Sequence, residues 1–225
     1  MEVMQKRIEE IRRKIAMAAQ RSGRRDQEVT LVAVSKMVGE AEVRNAYDLG
    51  IRDFGENRVQ ELNRKMEYLP QARWHLIGRL QTNKVKDVVG RASLIHSLDS
   101  WPLALAINQR AQKLGIVVPV LVQVNISEEA SKAGLSAVEL DCFLDSVGEL
   151  SALQIQGLMT IAVQESLPEA SRSVFRELAQ LRHKLQGKKY RNVELKYLSM
   201  GMSQDYEVAV EEGANLVRIG SALFI

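Results

Sequence analysis

A lysine stands where an apolar, β-branched run ends, in Leu31-Val32-Ala33-Val34-Ser35-Lys36. A primary amine at the lip of a buried strand lies near a hydrophobic interior, where desolvation disfavours the ammonium form and exposes a nucleophile. Such an amine forms a Schiff base with an aldehyde or ketone. On this stretch alone the plainer reading, a lysine marking where a strand meets water, has the stronger claim. Two later stretches bear on the choice. Ser199-Met200-Gly201-Met202-Ser203 and Arg218-Ile219-Gly220-Ser221 each combine glycine with hydroxyls. Glycine lets the backbone aim its N–H groups at a ligand, and a helix opening near Gln204 would add a positive field, so both stretches suit a phosphate. Without a ligand they read as tight turns with capping serines, Ser203 serving as an N-cap.

These groups need a scaffold that brings them together. Ile8, Ile11 and Ile15 form one helical stripe amid charge, so residues 2–21 read as an amphipathic helix stopped by Gly23. Strand-like runs follow at Val29–Val34, Arg52–Gly55, Arg73–Gly78, Ser93–Leu98, Val117–Asn125, Gln154–Met159, Leu195–Met200 and Leu216–Gly220, with room for a helix in each gap. Leu140, Phe143, Leu144 and Val147 keep helical spacing behind a capping box at Ser136 and Glu139. Val174, Leu178, Leu181 and Leu185 do the same behind Ser166, Pro168 and Glu169, and Asp99, Ser100 and Pro102 open another helix.

Eight strands alternating with helices predict a (β/α)₈ TIM barrel, residues 1–225 forming one domain. The last strand leaves no room for a full helix, and the N-terminal helix fills that gap in the outer ring. A doubly wound open sheet is the alternative, weakened because no glycine fingerprint follows the first strand. In a barrel, functional groups collect at the carboxyl ends of the strands, and the loops after strands seven and eight often hold phosphate. The ends here carry Lys36, Gly55-Glu56-Asn57, His75 to Gly78, His96 and Ser97, Asn125, Thr160, and the two glycine loops. Lys36 on the first strand then adjoins those loops in a closed barrel, which outlines a pocket for an aldehyde bearing a phosphate.

Composition narrows the function classes. Lys and Arg exceed Asp and Glu only by 31 to 28, so no basic surface for nucleic acid is implied. The single Cys142 allows no internal disulfide and no thiolate pair for zinc, and the histidines and carboxylates lack metal-ligand spacing. The first residues have no apolar signal core, and no apolar run is long enough to span a bilayer. A cytoplasmic protein without nucleic-acid or membrane partners is expected. His75 and His96 read as satisfied core histidines and His183 as solvated; Arg79, Lys84, Lys86 and Lys132 read as wet surface, and Met200 and Met202 as gap fillers. Ser127 to Gly134 reads equally as a mobile flap or an ordinary loop.

Five motifs in order make the chain resemble a known family. These are Leu31–Lys36, Phe54-Gly55-Glu56-Asn57-Arg58-Val59-Gln60-Glu61, Trp74-His75-Leu76-Ile77-Gly78-Arg79-Leu80-Gln81-Thr82-Asn83-Lys84, Leu198-Ser199-Met200-Gly201-Met202-Ser203 and Val217-Arg218-Ile219-Gly220. Together they are similar to the YggS/PROSC family of pyridoxal phosphate homeostasis proteins, which resembles the barrel domain of alanine racemase (fold type III) without its second β-domain. The resemblance implies pyridoxal 5'-phosphate (PLP) held on Lys36 as an internal aldimine. It implies Ser199, Gly220 and Ser221 as phosphate ligands, with Gly201 and Ser203 shaping that loop. It also implies Arg218 facing the pyridine nitrogen and Asn57 lining the cofactor. Met37 and Gly39 stand where the family has Thr and Pro, and the chain stops at Ile225, short of the usual tail.

Three functions fit: a PLP carrier acting in vitamin B6 homeostasis and handing cofactor to apo-enzymes, a PLP-dependent amino-acid racemase, and a Schiff-base aldolase. Racemisation needs a second acid–base group opposite Lys36. Tyr47, Tyr68, Tyr190 and Tyr197 fall at no strand end, and Tyr206 lies within a helix. An arginine at the ring nitrogen, as the resemblance implies, stays protonated and leaves that nitrogen unprotonated, which makes a poor electron sink. The expectation is therefore a monomeric carrier with no catalytic residue and no metal.

Overall fold

Eight parallel strands close into a barrel in the computed structural model, in the order β1 to β8 with β8 returning to β1. The structure describes residues 2–127, 133–162 and 167–225. The strands are β1 (Thr30–Val34), β2 (Asp53–Glu56), β3 (Arg73–Leu76), β4 (Leu94–Leu98), β5 (Val118–Gln123), β6 (Leu153–Met159), β7 (Val193–Ser199) and β8 (Leu216–Ile219). Each expected strand is present, with ends shifted by a residue or two. The helices are α1 (Glu2–Arg21), α2 (Glu40–Asp48), α3 (Val59–Tyr68), α4 (Trp101–Leu114), α5 (Leu140–Gly148), α6 (Arg172–Gln186), α7 (Tyr206–Glu211) and α8 (Ser221–Phe224).

One gap departs from expectation. Between β3 and β4 the chain makes only a 3₁₀ turn, Thr82–Asp87, where a full helix had room. Val85, Val88 and Val89 bury there, giving that short path enough apolar cover. α1 packs against α7 and α8, and Arg7 donates to the carbonyl of Ile225, so the first helix occupies the outer-ring gap left by a four-residue last helix. Ser136 and Glu139 form the expected reciprocal capping bonds. The start signal at Ser166 and residues 128–132 of the stretch read equally as a flap or a loop lie outside the described residues.

The pleat decides what enters the barrel. Alternate residues of a strand point to opposite faces, so Phe54, Trp74, Leu76, Ile95, Leu198, Val217 and Ile219 join the large apolar layer between strands and helices. Val32, Leu94, Leu121, Met159 and Leu216 form a much smaller cluster inside. The interior also holds Asp53, His75, His96, Ser199 and Arg218, all buried and joined by hydrogen bonds. The barrel is thus dry outside its wall and polar within.

Candidate functional site

A cavity of about 540 Å³ opens at the carboxyl ends of the strands, lined among others by Lys36, Asn57, Ser203, Arg218, Gly220 and Ser221. Six of the eight expected site residues therefore share one wall. Lys36 lies just beyond β1 and is exposed. Its exposure is that of a lysine where a strand meets water, and it nonetheless lines the cavity. The strand ends at Val34, and Ser35 to Val38 closes a turn through the Val38 N–H donating to the Ser35 carbonyl. That turn carries residues 36 and 37 outward.

The buried lysine is Lys65. It projects from the apolar stripe of α3 and is fully enclosed. Its ammonium donates to the carbonyls of Ser35 and Val38 and to Glu56 Oε1, 2.7 Å away. Glu56 Oε1 also accepts from the Ser35 hydroxyl at 2.6 Å. All three ammonium protons are used, and the Lys36 turn is gripped at both ends. Sequence reasoning missed this pair. The signal was a lysine three residues after Leu62 and six after Val59, on the face that buries.

Arg218 is also enclosed. Burial draws its guanidinium down to about 10, still cationic at neutral pH, with Asp205 opposing the shift. Nη1 donates to Ser199 Oγ at 2.6 Å and Nη2 to the Thr160 carbonyl at 2.9 Å. Two tethers, one at the end of β7 and one just past β6, hold the planar group beneath the cavity.

Ser203 is not the helix N-cap of the ligand-free reading of the glycine loops. α7 begins at Tyr206, and Ser203 Oγ instead accepts the N–H groups of Gly220, at 3.2 Å, and Ala222, at 3.3 Å. Ser203 so ties the seventh loop to the eighth. Asp205 Oδ1 accepts the Met202 N–H, and Ser171 donates to Asp205 Oδ2. Gly201 has φ +88°, and a Cβ there would fall 2.5 Å from Ala209 Cβ. Its carbonyl accepts the Arg218 N–H. Gly201 and Ser199 lie behind the wall, both buried. Ser199 spends its hydroxyl on Arg218 and His96, so its side chain turns into the barrel interior and supports Arg218. His75 and His96 are satisfied core residues, as expected, and His183 is exposed.

The residues fit a phosphorylated aldehyde. An exposed lysine, a buried arginine and the small residues Ser203, Gly220 and Ser221 of the closing loops line a cavity in the size range of small-molecule sites. Gly220 lies against Val34, where a Cβ would come within 3.1 Å of the carbonyl, so the strand end leaves little room for a side chain at this position. No group of three or more metal-ligating side chains occurs among the described residues, and no described helix is long and apolar enough to cross a membrane.

Comparison with known proteins agrees. Residues 7–225 match the family described as alanine racemase, N-terminal domain. The pyridoxal phosphate homeostasis protein of Aquifex aeolicus is 45% identical over 97% of this chain and 96% of its own length. This chain belongs to the pyridoxal phosphate homeostasis protein family. The Escherichia coli K12 member is 38% identical over 96% of this chain and 94% of its own length. PipY of Synechococcus elongatus PCC7942, solved with PLP bound, superposes with a TM-score of 0.86 at 35% identity, covering 99% of this chain and all of PipY. A Clostridium difficile alanine racemase shares the fold at 16% identity, with a TM-score of 0.71 over 87% of this chain and 54% of its own.

Proposed function

We propose that this protein binds PLP and buffers or delivers it within the cell, with little turnover of its own. The observation that carries this reading is the single cavity lined by Lys36, Arg218 and residues of the β7 and β8 loops, Ser203, Gly220 and Ser221 among them. Lys36 is the attachment point for the aldehyde. Gly220 and Ser221, with Ser203 and Gly201 shaping the loop, receive the phosphate, and Asn57 flanks the ring. Ser199 acts indirectly, by fixing Arg218. PLP bound in this way supplies a reactive carbonyl carbon and an electron-withdrawing ring.

The chain's own residues disfavour catalysis. Arg218 is a donor that keeps its proton at neutral pH, so a ring nitrogen opposite it stays an acceptor and draws electrons weakly. No tyrosine is among the cavity-lining described residues, which leaves Lys36 without an opposing acid–base group of the kind racemisation needs. The reading includes a cytoplasmic monomer, one barrel over residues 1–225, with apo-enzymes of PLP as acceptors.

The test is direct. Purified protein incubated with PLP should turn yellow, and borohydride should fix the cofactor to Lys36 in a peptide map. Production of D-amino acids at enzymatic rates, lost in Lys36→Ala, would replace the carrier by a racemase. Colourless protein that adds sugar aldehydes would replace it by an aldolase.

A further inference from the structure

A file of hydrogen bonds crosses the barrel interior from one face to the other. At the amino-terminal face Asp53 Oδ1 lies 3.0 Å from His75 Nε2, and the carboxylate also accepts from the exposed Arg73. His75 Nδ1 lies 2.9 Å from His96 Nε2. His96 Nδ1 lies 2.9 Å from Ser199 Oγ, which accepts a hydrogen bond from Arg218 Nη1 beneath the cavity. Five strands contribute one residue each, and every side chain between the ends is buried.

The protons of this file can be placed by accounting alone. Burial opposes ionisation of Asp53, yet the hydrogen bonds from Arg73 and His75 hold its carboxyl at about 2, so it only accepts. His75 must then carry its proton on Nε2. If His75 bears one proton, its Nδ1 is an acceptor, and His96 must donate from Nε2. His96 Nδ1 in turn accepts the Ser199 hydroxyl proton. Ser199 Oγ is left with lone pairs facing Arg218. Every proton has an acceptor, and every donor points toward Asp53. Reversing the His75–His96 bond would put a second proton on His75 and make His96 donate to a Ser199 oxygen already accepting from Arg218, leaving no assigned acceptor for the serine proton. It would also add a cation to an interior that already encloses Arg218.

We propose that Asp53, from the face opposite the cavity, locks the tautomers of His75 and His96 and through Ser199 positions the Arg218 guanidinium for the cofactor ring. Asp53, His75, His96 and Ser199 are positioning residues. The proposal deepens the PLP-binding reading and rests on it for its ligand, while the tautomer lock is a property of the protein without ligand.

Long-range ¹H–¹⁵N spectra of the ligand-free protein at neutral pH should show both interior histidines protonated at Nε2 alone. Asp53→Asn, which keeps the shape but lets the side chain donate, should give mixed tautomers and weaken PLP binding about tenfold, the scale of one hydrogen bond to a charged group. Arg73→Ala, on the same face, leaves the carboxylate in place and should leave both tautomers unchanged. Ser199→Ala cuts the file at its other end and should weaken PLP binding as much, with unchanged circular dichroism. A doubly protonated His75, or a His96 proton on Nδ1, in the wild type would overturn the proposal. So would wild-type tautomers and PLP affinity in a folded Asp53→Asn protein. Should Asp53→Asn fail to fold, unchanged affinity in Ser199→Ala would overturn it. Wild-type protein that shows the expected tautomers but takes up no PLP would sink the cofactor reading and leave the lock itself standing.

Discussion

Lys65 and Glu56 form a fully buried ion pair, 2.7 Å apart, directly beneath the turn that presents Lys36. The pair is not itself a strong source of stability, because two charges have left water to make it. Its geometric effect is larger. The ammonium also holds the carbonyls at both ends of the turn, so the exposed amine stands on a fixed base.

Removing one partner strands the other. Lys65→Met should lower stability by about 3–5 kcal/mol and the melting temperature by roughly 10 °C. The double variant Lys65→Met with Glu56→Leu should recover much of that loss. Thermal denaturation of the three proteins checks this, and a double variant no better than the single would refute it.

Lys36→Ala removes a solvent-facing side chain and should change stability by no more than about 0.5 kcal/mol. The same variant should lose the borohydride-stable mass increment entirely. Urea titration and intact mass measure the two effects separately.

Gly201→Ala combines a left-handed backbone with a contact no real Cβ makes, and should cost about 3 kcal/mol. Gly23 has φ +70° with nothing near its missing Cβ, so Gly23→Ala should cost only about 1 kcal/mol. Equal urea midpoints for the two variants would contradict the packing described at the β7 loop.

Asp53 sets an acid limb. Its carboxyl is at about 2 in the fold, below the ordinary value of 3.8, so the unfolded chain takes up the proton first as pH falls. The contribution, roughly 2 kcal/mol, is fully present above about pH 4 and is lost as pH falls through 2. The stability difference between wild type and Asp53→Asn should therefore shrink toward zero across that interval, as urea titrations at several pH values would record.

The eight strands and the two glycine loops were legible because β-branched runs and turn glycines act locally. Lys36 was legible only as a strand-exit amine; its exposure depends on a turn whose carbonyls are held by α3. The inward turn of Ser199 toward Arg218 and His96 was not legible, because its motif reads as part of a glycine loop while the pleat aims its side chain into the barrel. The link between His75 and His96 could not be read from sequence spacing, since it needs the stagger of a closed barrel to bring β3 and β4 side chains level. The missing helix after β3 failed for a related reason. Room for a helix is only permission, and three valines satisfied that gap with a tighter turn.

The barrel closes where Thr30 to Ala33 of β1 pair with Leu216 to Ile219 of β8. The Lys36 amine stands just past the carboxyl end of that seam's first strand, and the proposed phosphate loop follows the last. A nascent chain emerging from the ribosome thus holds only half of the proposed pocket until β8 has been translated. Loading must follow ring closure, so holding PLP reports that synthesis of the barrel has been completed.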